Sequence, residues 1–406
     1  MAKLAINGGE QVRTKPWPSW PIWDERDVKA MEDTVRSGRW GRLGENTQAE
    51  KFENVFAEYQ DAKYGVAVTS GTAALTIALK AAGVDIGDEV IVPPYTFVAS
   101  ASSVLQNNAI PIFVDVELET RNLDPDAIEA AITPRTTAVM PVHFSGRACD
   151  MERILAIAEK HGLAVVEDAA HCWGATWNDR KLGAVGDIGG ISFQASKHLN
   201  CGEGGIILTN DEELAAKAFS YHHIGRIPGR PFYEHHFIGW NFRITEFQAA
   251  ILLTQFERLE EQTQRRHENG LYLDEQLGQI EGLTPLRRDP YMTRIARHSP
   301  CMLYDEATVG VPIGKFQEAV RAEGVGCGGG YPHPLYRNPL FTGKQFGRIT
   351  EMVDFPDYAD MYLPNSERLC QELISFPQTH LLGTREDMAD IVAAVAKVAE
   401  NTDELR

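Results

Sequence analysis

SFQASKHLNCGEGG, residues 192–205, decides how this chain is read. A β-branched run, DIGGISFQ (187–194), leads into it, and a second, GGIILTN (204–210), leads out. Lys197 therefore sits just past a strand end, before a glycine-rich turn. Taken alone, such a lysine reads as a solvated surface residue, because exposed lysines are common. Working outward, the same kind of run recurs in YGVAVTS (64–70), EVIVPP (89–94), PIFVDV (111–116), TTAVMPVH (136–143) and LAVVED (163–168). Helical spacing fills several of the gaps: Leu75, Ala78, Leu79 and Ala82 after Gly71, and Ile154, Leu155, Ile157 and Ala158 after Asp150. Strand and helix in alternation predict an α/β fold, a three-layer α/β/α sandwich on a mostly parallel seven-stranded sheet. Ligands of such sheets gather at the carboxyl ends of the strands.

The chain has 406 residues, more than one core usually fills, so a large and a smaller domain are expected. A pattern after Thr245 (Phe247, Ile251, Phe256, Leu259) predicts a helix linking them, with the boundary near 280: residues 1–280, then an α+β unit over 281–406. The latter should close on a helix capped by Thr384 with Asp387, its buried face carrying Met388, Ile391, Val392, Val395 and Val398. Hydrophobic residues make up 43% and charged residues 24%, which excludes a disordered or low-complexity protein. A formal charge of −18 opposes nucleic-acid phosphates and anionic membranes. No apolar run is long enough for a membrane span, MAKLAINGGEQ is unlike a signal peptide, and the six cysteines are scattered without a CxxC. The cytoplasm is the expected compartment.

Three more stretches bear on Lys197. LAVVEDAAH ends a strand on Asp168, which reads either as a helix N-cap or as an acid delivered to the ligand crevice. VAVTSGTAAL runs a strand through Ser70, Gly71 and Thr72 into a helix, either a plain capped start or a cradle for an anion. VPPYTFVAS places Phe97 beyond another strand, where core packing is the usual role of an aromatic. One cofactor accounts for all four. Pyridoxal 5′-phosphate needs a lysine for a Schiff base, an acid for its pyridine nitrogen, a phosphate cradle and a stacking ring.

SGTAAL, VPPYTFVAS, EDAAH, SFQASKHLNCGEGG and NFRITEFQAA, in this order and spacing, resemble the DegT/DnrJ/EryC1/StrS sugar aminotransferases, which are fold-type I pyridoxal-phosphate enzymes. The resemblance runs from WPSWP to the last helix. It implies that Lys197 carries the Schiff base and Asp168 keeps the pyridine nitrogen protonated. By the same likeness Phe97 stacks on the ring, Gly71, Thr72 and Ser192 bind the phosphate, and Gln194 contacts phosphate or substrate. His171 lies near the ring, as a ligand or as a packed neighbour. The family's asparagine in the motif matched by GWNFR reaches the phosphate from the neighbouring subunit, which nominates Asn241 and implies a homodimer. WPSWP (17–21) and YPHPLYRNPLF (331–341) are closest to scyllo-inosose aminotransferases and 3-amino-5-hydroxybenzoate synthases. Tyr331, His333 and Tyr336 are the corresponding substrate candidates. Many sugar-nucleotide members have a histidine where this chain has Tyr336, a departure that speaks against a nucleotide-diphosphate contact. The implied reaction moves an amino group from glutamine or glutamate to a keto sugar or ketocyclitol. Arg243 suits the donor's carboxylate, and a surface ion pair equally well.

Two patterns point elsewhere. Gly324-Val325-Gly326-Cys327-Gly328-Gly329 satisfies G-x-G-x-x-G, yet it follows a helical pattern and leads into YPHP, so it reads as a flexible loop and a nicotinamide dehydrogenase finds little support. His222, His223, His235 and His236 lack an accompanying cysteine or acid at ligand spacing, so no metal is expected. A sensor that keeps the cofactor pocket, or a sugar dehydratase of the same fold, is the remaining alternative. Known dehydratases of the family replace the lysine that this chain keeps.

Overall fold

The computed structural model describes residues 3–405; the first two residues and Arg406, which bound the two units read from the sequence, lie outside it. Its strands are β1 (Tyr64–Val68), β2 (Glu89–Val92), β3 (Ile110–Phe113), β4 (Thr136–Val139), β5 (Ala164–Asp168), β6 (Thr176–Trp177), β7 (Arg180–Lys181), β8 (Ile188–Ser192), β9 (Gly205–Thr209), β10 (Leu283–Pro285), β11 (Cys301–Tyr304) and β12 (Leu373–Ser375). Seven form one sheet in the order β1-β9-β8-β5-β4-β2-β3. All run parallel except β9, which is antiparallel to both β1 and β8.

Alternation along each strand divides the core. Ile91, Val165, Ile206 and Leu208 pack with Phe52, Phe56, Trp173 and Phe193 in one hydrophobic cluster. Their neighbours Val90, Val166 and Ile207 pack with Leu75, Ile77 and Leu79 in another. Both faces are thus covered, which makes the three-layer sandwich. The helix Gly71–Ala81, capped by Ser70 through the Ala73 N–H, is almost wholly buried on the second face.

The strands are shorter than the apolar runs that predict them. Pro93–Pro94, Met140–His143 and Phe193–Gln194 lie beyond the ends of β2, β4 and β8, and these extensions lead into segments that line the cavity.

A third cluster gathers Leu4, Leu273, Leu277, Leu283, Met302, Phe316, Ile374, Met388, Ile391, Val395 and Val398 around the antiparallel sheet β10-β11-β12. The segment from Leu4 to Trp17 is laced to it. Leu4 is in the cluster, Arg13 pairs with Asp387 and Asp390 at 2.7 Å each, and Trp17 stacks on His380. Residues of the 335–358 stretch return to the second cluster through Leu335, Tyr336, Phe341 and Tyr358.

The helix expected after Thr245 is two helices, Glu246–Phe256 and Leu259–Leu277, broken at Glu257–Arg258. The reason is electrostatic: Arg258 is drawn aside to Asp24 at 2.7 Å and Asp27 at 2.9 Å, both at the start of the helix Glu25–Ser37. The last helix, Arg385–Glu400, has the expected capping box between Thr384 and Asp387. Removing its cap oxygen by Thr384→Ala should cost about 1 kcal/mol. Ile391→Ala, which empties a fully buried site, should cost about 2–5 kcal/mol. Urea unfolding of the purified variants measures both.

Candidate active site

At the carboxyl ends of the parallel strands lies a cavity of about 700 Å³. Its wall includes Gly71, Thr72, Phe97, Asp168, His171, Ser192, Gln194, Lys197 and Tyr331 from the residues singled out in the sequence.

Lys197 is carried by the tight connection from β8 to β9, which is closed by Phe193 N–H to Gly204 O and Ala195 N–H to Gly202 O. Glycine is required at position 205, where any Cβ would lie 2.5 Å from the Ser70 carbonyl oxygen. The Lys197 amine faces His171 Nε2 at 2.8 Å and His298 Nε2 at 3.5 Å. Among the described residues it has no ion-pair partner. The Ser145 N–H donates to His171 Nδ1 at 3.2 Å, so the neutral ring carries its proton on Nε2 and offers it to the lysine lone pair. That arrangement suits a free amine and not an ammonium. Burial pushes the lysine down to about 8, against the pull of the Asp168 charge. His171 is held well below its ordinary value by burial and by the neighbouring Lys197 and His298.

Asp168 ends β5 and is followed by turns, not a helix, so the N-cap reading does not apply. Its Oδ2 accepts from Ser100 Oγ at 2.6 Å and its Oδ1 from the Ala170 N–H at 3.2 Å. Burial raises its pKa, while the Ser100 and Ala170 hydrogen bonds oppose the rise.

Gly71 begins its helix directly against Ser192: a Cβ there would lie 2.7 Å from the Ser192 Cβ. A side chain at position 71 would crowd the Ser192 side chain, so only glycine fits there. Phe97 is not core-packed; its side chain is 59% exposed at the cavity wall.

Other candidates lie elsewhere. Tyr336 is fully buried beside Phe113, with its hydroxyl donating to Glu367 at 3.0 Å and accepting from the Leu363 N–H. The 3₁₀ turn Leu335–Arg337 directs it into the core, so it is not a substrate contact. His333 is exposed and off the cavity wall. Asn241 is exposed and bridges to His223, and Arg243 donates to His223 Nδ1 at 3.1 Å; neither lines the cavity of its own chain. The other clustered histidines are likewise engaged, His222 with Phe219 O and His235 with Ile224 O. The glycine pattern is pinned by Gly328 pairing with Ser375, and no helix opens at its end.

Sequence reasoning missed His298, Tyr95 and Ser100. His298 is aimed by a left-handed Arg297 (φ +64°) and by its own N–H donating to Ser145 O, a contact between segments far apart in the chain. No local pattern marks it. Tyr95 packs so tightly on Gly330 that a Cβ there would collide with the phenol oxygen.

These residues fit a phosphorylated aldehyde coenzyme. A free amine stands beside a buried carboxylate, an anion cradle would be shut by any Cβ, and an aromatic face is left open. Fold and site together define a fold-type I pyridoxal-phosphate enzyme. The profile of the DegT/DnrJ/EryC1/StrS aminotransferase family matches residues 21–396. The chain belongs to that family and is a pyridoxal-phosphate-dependent transaminase. It is 41% identical to an L-glutamine:2-deoxy-scyllo-inosose aminotransferase of Streptoalloteichus tenebrarius, with 99% of each chain covered. It is 37% identical to an L-glutamine:scyllo-inosose aminotransferase of Streptomyces griseus, covering 100% of this chain and 99% of the relative. The crystal structure of 3-amino-5-hydroxybenzoic acid synthase superposes with a TM-score of 0.86 at 29% identity, over 96% of this chain and 100% of that one.

Because only the neutral amine attacks an aldehyde, coenzyme capture by cofactor-free protein should accelerate with pH and level off above about 8. An ordinary lysine would keep gaining to about pH 10.4. Stopped-flow absorbance gives the profile; a rate still climbing beyond the lower value would contradict the neutral-amine geometry.

Proposed function

We propose that this enzyme transfers an amino group from L-glutamine to a ketocyclitol of the scyllo-inosose type, as the names of its relatives describe for them. The observation that carries the reading is the free Lys197 amine, held by a neutral imidazole across from a buried carboxylate. The cavity wall supports the acceptor class. It offers hydroxyls and imidazoles from Ser70, Thr72, Thr96, Ser299, His171 and His298. A neutral polyol suits that lining.

Bound pyridoxal phosphate supplies an exchangeable carbonyl and an electron sink for a carbanion. Lys197 Nζ would hold the coenzyme and, as a free amine, would take and return the proton at the substrate carbon. A pKa of about 8 keeps a usable fraction of it neutral near physiological pH. Asp168 holds the proton on the ring nitrogen, its carboxylate steadied by Ser100 and Ala170. Gly71, Thr72, Ser192 and Gln194 would bind the phosphate at the helix N-terminus, and Phe97 would cover one ring face. His171 orients the lysine through Nε2. Tyr331, half-buried at the wall, remains a substrate contact.

Asn241 and Arg243 lie on the strip beside the end of β1 and do not line the cavity of their own chain, which supports a homodimer in which each copy completes the other's site. Among the described residues no helix is long and apolar enough to cross a membrane, and the cytoplasm is the proposed compartment.

Glutamine should bleach the visible band of the purified holoenzyme, and scyllo-inosose should restore it. Borohydride reduction followed by peptide mapping should place the pyridoxyl label on Lys197; a label elsewhere would falsify the assignment. Lys197→Ala should lower turnover by at least about 10²–10⁴-fold, the share of a positioned base. Asp168→Ala should lower it by about 10²–10³-fold with the fold intact, the scale for deleting one preorganised electrostatic partner. Circular dichroism checks the fold in each case.

Mixing two inactive variants tests the shared site. Lys197→Ala and Asn241→Ala, unfolded and refolded together, should regain activity because half of the sites in a hybrid dimer have both residues. No recovery on mixing, in samples shown to be dimeric by light scattering, would refute it.

A further inference from the structure

Residues 296–299 form an irregular connection, yet each of their backbone N–H groups is fastened to the turn at Ser145. Ala296 donates to Gly146 O at 3.4 Å, Arg297 and His298 donate to Ser145 O at 2.9 and 3.3 Å, and Ser299 donates to the Ser145 hydroxyl at 2.7 Å. Arg297 is held in the left-handed region at φ +64°, buried, with its guanidinium paired to Asp274 at 2.6 Å. It lies so close to the helix Leu259–Leu277 that a Cβ at Gly270 would stand 2.6 Å from its Nε. A non-glycine residue in that region is strained, and such strain persists where the surroundings over-determine it, commonly at a functional site.

The His298 ring is what this fastening delivers. Half-buried at the cavity wall, it brings Nε2 to 3.5 Å from Lys197 Nζ and lies 4.3 Å from the His171 ring, with Trp173 edge-on at 5.6 Å. Its Nδ1 is buried and has no hydrogen-bond partner. Nothing in the reaction described above uses this ring.

His171 presents Nε2–H to the lysine because the Ser145 N–H occupies its Nδ1, so it supports the amine only while Nζ keeps its lone pair. When Nζ takes the proton from the substrate carbon, the carbon–hydrogen bond breaks and its electrons pass to the coenzyme's sink. The lysine is then an ammonium, with three N–H donors and no acceptor. Asp168 faces it as a charge, but no ion pair joins the two among the described residues. His298 has the lone pair required: with its proton on the unpartnered Nδ1, its Nε2 is an acceptor. Burial, then the Lys197 and Arg266 charges, hold this ring well below the ordinary histidine value, so it is neutral. The other titratable groups beside it are His171 and His198, the latter 5.4 Å away, and burial leads in holding both neutral as well.

We propose that His298 is a second catalytic residue of transamination: its Nε2 accepts a hydrogen bond from the Lys197 ammonium, the state that His171 cannot serve, and holds the proton-bearing amine at the cavity wall until the proton is returned. No proton moves to His298. It gains a hydrogen bond when Nζ gains the proton and loses it when the proton goes back. A separation of 3.5 Å is that of a catalytic contact before substrate arrives, and it should shorten as the charge develops. The inference rests on the Lys197 reading given above.

The native full-length chain provides the first test, which needs no variant to fold. In the cofactor-free protein, histidine nitrogen NMR should find His298, identified by its proximity to Trp173, with the proton on Nδ1 and none on Nε2. This should hold from about pH 9 to about pH 5, a range in which an ordinary ring, near 6.5, protonates. A proton on Nε2, or a ring that charges near the ordinary value, overturns the proposal.

In the holoenzyme, His298→Leu should slow the bleaching of the visible band by saturating glutamine about 10- to 100-fold, the scale of one hydrogen bond to a charged group. The half-saturating glutamine concentration should stay unchanged, and His298→Gln, which keeps an acceptor, should recover most of the rate. Without that acceptor the ammonium is disfavoured, so coenzyme capture by cofactor-free His298→Leu protein should level off about one pH unit below the native protein. A folded His298→Leu protein with native bleaching, a loss confined to half-saturation, or a His298→Gln protein no better than His298→Leu overturns this role. Borohydride labelling separates the two levels of the argument: a label on Lys197 with an unchanged rate refutes His298 alone, and a label elsewhere refutes the reading on which it rests.

Discussion

The hydrogen bond from His171 Nε2 to the Lys197 amine sets the protonation state on which the site depends. It exists because Ser145, through its backbone N–H, occupies the other ring nitrogen and so fixes the tautomer. Ser145 also accepts from the Arg297 and His298 N–H groups, and its hydroxyl accepts from the Ser299 N–H at 2.7 Å. One buried serine thus aligns both imidazoles with the lysine. An ammonium would have no acceptor at His171 in this arrangement, and burial discourages the charge independently.

The sheet makes that alignment possible by ending early. Each parallel strand stops pairing before its apolar run is exhausted, and the spare residues carry side chains over the sheet edge. Asp168 is the exception that proves useful. It is the last paired residue of β5, so its backbone is fixed by Pro141 and His143 while its carboxylate reaches Ser100. Beneath it, Glu167 accepts from Gly183, Val185 and Gly186 N–H groups and from His143, which anchors the same strand end from the opposite face.

Much of this was legible because the decisive residues follow strands closely in the chain. Alternating apolar runs located the seven strands, and Lys197, Asp168, Gly71 and Phe97 all come within five residues of a strand end. The rest depends on pairings between distant segments. His298 meets Lys197 across 101 positions, and nothing in RIARHSP distinguishes it from a loop. Tyr336 misled for the opposite reason: it shares a motif with Tyr331, but a single 3₁₀ turn separates a cavity residue from a core residue. The break at Arg258 was hidden because its acidic partners lie more than 200 residues upstream.

The N-terminal arm has a mechanical consequence. It begins in the third hydrophobic cluster, is clamped by Arg13 to the last helix, and ends with Trp20 donating to the carbonyl of Ala195, two residues from Lys197. The helix Leu259–Leu277 and the 335–358 return make further passages between the cores. With several strands of covalent backbone stitched across the same seam, no single peptide can act as a pivot. The two halves are laced like a shoe instead of joined like a door, and a pull on the terminal arm arrives directly at the loop that carries the reactive amine.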